Sequence, residues 1–353
     1  MTTLPGAVQL VEVLPNHRID EAALARYLSV HLEGFAGPLT VRQFLGGQSN
    51  PTYHLQTPAQ AYVLRKKPAG NLLPSAHAVD REFAVMRALQ GSGVPVPTVR
   101  LLCRDESVLG QMFYVMDHVE GRVFTDRLVP GVDREHRAAM VDDMNRVLAG
   151  LHGVDWRGAG HQDFGRPDNY CARQVDRWSR QYAASRVTHL TAMDRLLEWL
   201  PAHVPASNEA AIAHGDFRIG NLIYHPTEPR VVAVLDWELT TIGHPFADLA
   251  YNCLGYHLPY LDGRGFGNAD LQALGIPSEA DYLARYAERT GRAAVPDWEF
   301  YLVLSLFRMA AILVGVHRRA IEGNAADARA AGIADIYTVV AERAWAIARG
   351  QGT

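Results

Sequence analysis

The sequence predicts an α+β chain in two lobes, a small antiparallel-sheet lobe over residues 1–117 and a larger, mainly helical lobe over 118–353. Three observations predict it. Between Leu39 and Lys66, three short runs rich in apolar and β-branched residues are separated by turn-forming stretches. Beyond Glu120 the apolar residues recur at helical spacing instead. With 353 residues, 48% hydrophobic and 20% charged, the chain is long enough for two packed units.

In chain order, Asp20 can cap a helix whose positions Leu24, Tyr27, Leu28 and His31 share one face. Strands follow at Leu39–Leu45, Thr52–Gln56 and Ala61–Lys66, separated by Gly46-Gly47-Gln48-Ser49-Asn50 and Thr57-Pro58-Ala59. A helix over Ala78–Leu89 turns Val79, Phe83 and Met86 inward, and Pro95 and Pro97 end that segment. Strands at Val99–Cys103 and Phe113–Asp117 lead to a hinge at Glu120-Gly121-Arg122. Met140, Met144, Val147, Leu148 and Leu151 then form a helical stripe, and further helical patterns start near Cys171, Asp281 and Phe300, the last reaching Arg349.

Composition excludes several classes. A formal net charge of −4 leaves no electrostatic footprint for nucleic acid. Met1 to Gly6 lacks the basic start and apolar core of a secretory signal. The apolar stretch Tyr301 to Val316 is read as too short for a bilayer and interrupted by Arg308. No membrane association and a cytoplasmic location are the expectations. Cys103, Cys171 and Cys253 lack the paired spacing of a zinc site or a disulfide framework, and are read as buried free thiols.

The chemistry is concentrated in His214-Gly215-Asp216-Phe217-Arg218-Ile219-Gly220-Asn221 and in the strand Val231–Leu235, which ends at Asp236. Phosphoryl transfer needs a carboxylate to orient an acceptor hydroxyl, an amide oxygen for metal, and a second carboxylate bridging metal to nucleotide phosphates. Asp216, Asn221 and Asp236 supply these, with His214 bracing the loop. An Asp in a glycine-containing loop alone is commonly a turn residue. Its coupling to a strand-borne Asp favours the catalytic reading. Arg218 is placed to neutralise charge on the moving phosphoryl group, or else is a surface arginine; Asp248 is a structural candidate for holding the loop.

On the nucleotide side, Gly47 lets backbone amides approach phosphate oxygens and Ser49 can add a hydroxyl donor, although a plain hairpin turn needs the same glycines. There is no G-x-x-x-x-G-K-[ST] phosphate loop. In Arg65-Lys66-Lys67, alternation puts Arg65 and Lys67 on one face, either one able to reach the phosphates, and leaves Lys66 as a solvated strand end. Glu82 lies at the edge of a buried helix stripe, where a cation from the strand would satisfy it. The backbone carbonyl of Asp117 and amide of Val119 are candidates for the edge of adenine, since a connecting segment leaves such groups unpaired.

These residues resemble the aminoglycoside phosphotransferase-like branch of the bilobal protein-kinase-like fold, which includes choline kinases. The resemblance covers about residues 39–255. More narrowly, Gly47-Gln48-Ser49-Asn50-Pro51-Thr52-Tyr53, Leu64-Arg65-Lys66-Lys67-Pro68, Leu73-Pro74-Ser75-Ala76-His77 and Leu235-Asp236-Trp237-Glu238 are similar to kinase-like domains fused to, or encoded beside, acyl-CoA dehydrogenases. The resemblance implies ATP- and Mg2+-dependent phosphorylation of a hydroxyacyl-CoA, with an acyl-CoA dehydrogenase as partner. It implies Asp216 as base, Asn221 and Asp236 as metal ligands, and Glu82 as partner of the phosphate-binding cation. The sequence departs from the usual lysine at Arg65, and has Trp237-Glu238 where protein kinases have Phe-Gly.

For the acceptor, Arg173, Arg177 and Arg180 on one helix face and His317-Arg318-Arg319 give the larger lobe basic groups. They suit a phosphate-bearing, CoA-linked acceptor better than an aminoglycoside or choline. A nucleotide-binding module without turnover, of the pseudokinase kind, is the alternative from another class. Against it stand two carboxylates that such a module does not need.

Overall fold

The structure, a computed structural model, describes residues 6, 8–45, 50–68, 78–158, 164–260, 263–322 and 332–351. Its first elements are β1 (Leu10–Val11), α1 (Glu21–His31), β2 (Thr40–Phe44), β3 (Thr52–Gln56), β4 (Ala61–Lys66), α2 (Val79–Leu89), β5 (Val99–Cys103), α3 (Glu106–Leu109), β6 (Phe113–Asp117) and α4 (Arg134–His152). There follow α5 (Tyr170–Ser185), α6 (Thr191–Ala202), β7 (Ala211–Ala213), β8 (Leu222–Tyr224), β9 (Val231–Val234), β10 (Thr241–Gly243), α7 (Pro245–Cys253), α8 (Leu271–Leu274), α9 (Glu279–Arg289), α10 (Trp298–Ile321) and α11 (Ile333–Ala348). Two compact units emerge, one from residues 1–125, 130–147 and 219–240, the other from 126–129, 148–218 and 241–353.

In the first unit an antiparallel sheet runs β1-β2-β3-β4-β6-β5. Period-two alternation sends Val41, Tyr53, Leu55, Tyr62 and Leu64 to one face, where they form a core with Leu24 and Leu28 of α1 and Leu32 just beyond it. That helix starts as expected, Asp20 Oδ1 accepting from the Ala23 amide at 2.8 Å. Arg65 pairs in register with Thr52, and Val63 with His54, so these residues take the opposite face. Lys66 is on the core side and buried, at 8% exposure, which corrects its reading as a solvated strand end. Burial holds its ammonium below the usual lysine range.

The same unit contains the β8–β9 hairpin, in register Leu222↔Val234. The Tyr224 hydroxyl donates to the Met140 carbonyl of α4 at 3.1 Å. In the expected hinge segment, the Arg122 amide and carbonyl both bond Tyr224 at 2.8 Å. A Cβ at Gly121 would lie 2.3 Å from the Tyr224 oxygen, so that close approach requires glycine.

In the second unit β7 pairs antiparallel with β10, Ala213 opposite Thr241. Three-residue strands and the helix α6 carried too little periodic signal to be anticipated. Helix α10 packs with α5, α7 and α11. By length and composition its 24 residues could cross a membrane, contrary to the expectation from Tyr301–Val316, because the helix extends at both ends. Of its most apolar window, 67% is buried inside the protein, which accounts for the apolarity by packing. The three cysteines are free and buried.

Candidate active site

In the first unit, Arg65 at the end of β4 is the centre of a charged cluster. Its Nε lies 3.0 Å from Glu82 Oε2 of α2, and its Nη2 donates to Asp236 Oδ1, also at 3.0 Å. Glu82 is 1% exposed and accepts further bonds from Asn50 Nδ2 (3.1 Å) and the Tyr114 hydroxyl (3.0 Å). Burial pushes the Glu82 carboxyl up to about 7, against the pull of Arg65. Burial also opposes the Arg65 charge, but Glu82 and Asp236 outweigh it and hold the guanidinium firmly protonated. Of the two same-face cations anticipated, Arg65 is therefore the one that meets Glu82.

Removing such a partner leaves buried charge uncompensated. Arg65→Ala is expected to cost about 3–5 kcal/mol of stability. Arg65→Lys keeps the charge but loses the planar fork, so it should restore most of the stability while nucleotide affinity stays reduced. Thermal unfolding and nucleotide titration check this. An Arg65→Ala protein as stable as the parent overturns the ion-pair assignment.

Asn221 and Asp236 are neighbours because of hairpin register. The Asn221 carbonyl accepts from the Leu235 amide at 2.8 Å, setting the amide side chain and the carboxylate at one end of β8–β9. Asp236 adopts φ 67°, an uncommon conformation for a non-glycine residue. Its cost, about 1–3 kcal/mol, must be met by the surroundings. Those are rigid: buried Trp237 donates to the Val234 carbonyl at 2.9 Å, and Arg81 Nη2 donates to the Thr240 carbonyl at 2.6 Å. Carboxylate oxygens of Glu82, Asp236 and Glu238 lie within 4.8 Å of one another. This all-oxygen donor set suits a hard divalent cation such as Mg2+.

Also in this unit, Phe44, His54 and His118 form a cluster of rings, with His54 and His118 edge to face at 4.9 Å. Nothing in the spacing of these three residues announced it. The Asp117 side chain is taken up by Arg100, which donates to both of its oxygens at 2.8 and 2.7 Å. Any role of Asp117 and Val119 toward a base therefore falls to backbone. Gly47, Ser49 and the Leu73–His77 segment lie outside the described residues.

In the second unit the loop His214–Arg218 leaves β7. Buried Asp248 of α7 anchors it, Oδ2 accepting from the His214 amide and Oδ1 from the Gly215 amide, both at 2.8 Å. His152 Nε2 donates to the same carboxylate at 3.2 Å, and the Tyr286 hydroxyl donates to His152 Nδ1 at 2.7 Å. Burial alone would raise the Asp248 carboxyl; His152, His214 and the Gly215 amide outweigh it and hold it below the usual range. Its contribution to stability is therefore present above about pH 4 and lost as pH falls through the folded-state value. Asp248→Asn should lose that acid dependence and about 3–5 kcal/mol at neutral pH. Denaturant midpoints against pH test it, and parallel profiles for the two proteins would overturn it.

Gly215, at φ 85°, turns the loop so that Asp216 emerges partly exposed. Arg218 Nε donates to Asp216 Oδ2 at 3.2 Å, and the Asp216 amide donates to His214 Nδ1 at 3.2 Å. Tyr251 also bonds the Asp216 carboxylate; burial first, then that carboxylate, raises its hydroxyl to about 12. Arg308 Nη2 donates to the Gly215 carbonyl at 2.8 Å. Arg127 was not anticipated. It donates to the Asn252 carbonyl at 3.0 Å, and Asn252 Nδ2 donates to the Phe217 carbonyl at 3.2 Å, so a second cation is tied to the loop. Among the described residues Arg127 has no carboxylate within ion-pair distance, and burial, reinforced by the Arg218 charge, lowers its pKa.

The expected basic helix faces are occupied locally. Arg180 pairs with Asp176, Arg177 lies over Trp178, Arg173 bonds the Arg166 carbonyl, and Arg318 pairs with Glu322.

Residues 40–300 match the phosphotransferase enzyme family. The mouse protein named acyl-CoA dehydrogenase family member 11 is 46% identical over 321 residues, which are 89% of this chain and 41% of that protein. This chain thus spans about two-fifths of that relative. A solved structure from Ralstonia eutropha JMP134, provisionally described as an aminoglycoside phosphotransferase, has a TM-score of 0.87 and 46% identity, covering 94% of this chain and 99% of that one. A spectinomycin phosphotransferase solved with ADP and spectinomycin shares the fold at a TM-score of 0.60 and 12% identity, covering 94% and 98%. The chain belongs to the phosphotransferase enzyme family and has its α+β, kinase-like fold.

Proposed function

We propose that the protein is an ATP- and Mg2+-dependent small-molecule kinase that phosphorylates the hydroxyl of a hydroxyacyl-CoA. The observation that carries this reading is the hairpin end that brings Asn221 and Asp236 together, with Asp236 in turn held by the Arg65–Glu82 pair. Asn221 and Asp236 would hold Mg2+, which would supply charge neutralisation for the nucleotide phosphates. Arg65, paired with Glu82 and Asp236, would offer positive charge to those phosphates. The rings of Phe44, His54 and His118 offer a surface for the base.

Asp216 orients the acceptor hydroxyl and takes its proton as the acceptor oxygen bonds to the γ-phosphorus. The bond from that phosphorus to the β–γ bridging oxygen breaks, and ADP leaves. Arg218, already on Asp216, meets the charge of the arriving phosphoryl group. Little covalent chemistry is asked of the protein, so positioning and charge supply most of the rate.

Two points support an acyl-CoA acceptor over a polycationic one. Arg127, Arg218 and Arg308 all contact the loop of Asp216 or residues bonded to it, which disfavours a cationic ligand. The mouse relative bears the name of an acyl-CoA dehydrogenase, and an enzyme of that class is the proposed partner that receives the product. The test is ADP release with hydroxyacyl-CoAs, free hydroxy acids, choline and aminoglycosides, with the phosphate located by 31P NMR. Turnover with hydroxyacyl-CoA is expected, and its absence beside turnover of choline or an aminoglycoside would overturn the assignment.

A further inference from the structure

Helix α2 reaches the segment that carries Asp236 by two adjacent residues. Glu82 acts through Arg65, whose Nη2 donates to Asp236 Oδ1 at 3.0 Å. Arg81, one position earlier, donates through Nη2 to the Thr240 carbonyl at 2.6 Å. Successive side chains leave a helix about 100° apart, so one turn of α2 can address both ends of a short loop. That loop runs from the left-handed Asp236 through a 3-10 turn, Trp237–Leu239, to Thr240, whose amide donates to the Trp237 carbonyl at 3.2 Å. Helix α2 also packs directly on the 3-10 turn.

The two ends of the loop are held differently. Upstream, the Leu235 amide donates to the Asn221 carbonyl, so the hairpin fixes where Asp236 begins. Downstream, Thr240 is the last residue of the first unit, and the strand that follows it, β10, belongs to the second. Arg81 supplies a side-chain hold at that end. Thr240 is buried, so its carbonyl meets a charged donor away from water, where such a bond is stronger than in solvent. Burial also holds Arg81 below the usual arginine range.

Asp236 is the residue whose direction depends on both ends. At φ 67° it is uncommon for a residue other than glycine, and such a residue keeps its conformation only where its surroundings over-determine it. Trp237 contributes from the core and Arg81 from the helix. If the downstream end relaxes, the carboxylate turns with the backbone, and Mg2+ tolerates little departure from octahedral geometry.

We infer that Arg81 is a positioning residue for the metal site: its bond to the Thr240 carbonyl locks the left-handed turn that directs the Asp236 carboxylate. The inference rests on the reading of Asp236 as a Mg2+ ligand and adds to it a residue that acts through the backbone.

The test uses the full chain and ADP, with affinity measured by calorimetric titration in Mg2+ and again in a chelator. Arg81→Met removes the donor and keeps an unbranched apolar stem; Arg81→Lys keeps a charged donor on a stem of similar length. In Arg81→Met the gain in ADP affinity brought by Mg2+ is expected to shrink at least about tenfold, the equivalent of one hydrogen bond to a charged group. ADP affinity in chelator should stay within about twofold of the parent, and Arg81→Lys should recover most of the loss. A loss equal with and without Mg2+, or one that lysine does not relieve, identifies general structural support and overturns the inference. So does an Arg81→Met protein whose Mg2+ dependence matches the parent. Should Arg81→Met not fold, Arg81→Gln, shorter and uncharged, takes its place under the same criteria. A parent protein whose ADP affinity ignores Mg2+ would instead defeat the metal reading itself, and the inference with it; a Mg2+-responsive parent beside an indifferent variant defeats the inference alone.

Discussion

Asp216→Asn is expected to lower kcat by about 100- to 10,000-fold, the range for loss of a general base, while ATP affinity changes by less than about twofold. The substitution keeps the side-chain shape and leaves the loop anchored, because the Asp248 bonds are made by the backbone of His214 and Gly215. It removes the negative charge that Arg218 and Tyr251 now contact. What is lost is a group able to orient and accept the hydroxyl proton. ADP release at saturating acceptor, together with nucleotide titration of the same preparation, checks both halves. A variant retaining a tenth or more of the parental rate would remove Asp216 from the role of base.

Asp236→Ala should show the opposite division. Nucleotide affinity in the presence of Mg2+ is expected to fall by about 100- to 1,000-fold, comparable with removal of one strong electrostatic contact to the reacting group. Affinity for ADP in the presence of a chelator should scarcely change, since the lost group acts through the metal. Arg65 keeps its partner in Glu82, so the unit should still fold. The alanine inherits the φ of 67°, and part of the backbone strain persists. Isothermal titration with and without Mg2+ separates these effects. Unchanged metal dependence would show that Asp236 is not a ligand.

The legibility of these features follows the range of the interactions behind them. Strands β3 and β4 appear at their expected residues, because two-residue alternation and Gly/Pro punctuation are local properties. The cap at Asp20 was equally visible. The strands β7 and β10 were not, since three residues make too short a pattern, and their pairing depends on residues 28 positions apart meeting in space. The helical pattern expected from Phe300 starts close to α10, but the apolar stretch Tyr301–Val316 was read as too short for a bilayer because only the helix's apolar middle stands out against the polar ends that complete it.

The chemical residues divide in the same way. The run from His214 to Asn221 and the strand ending at Asp236 were readable because their spacing is itself the motif. The choice between Arg65 and Lys67 was not: alternation states which face a side chain takes, not which carboxylate awaits it. Arg65 and Asp236 are 171 residues apart in the chain. Lys66 was misread for a related reason, since the strand's other face is covered by a core that includes α1, a fact absent from the strand itself. Arg127 has no periodic neighbour to mark it and matters only through Asn252.

By itself, then, the sequence determined the order and type of the main elements and the family likeness, and it singled out Asp216, Asn221 and Asp236 as the candidate acid–amide–acid set. Tertiary structure alone decided which cation joins Glu82 to Asp236 and how Asp248 carries the loop. The physical reason is that backbone propensity and side-chain alternation act over a few residues, whereas burial and ion pairing depend on partners that only the folded chain brings within a few ångströms.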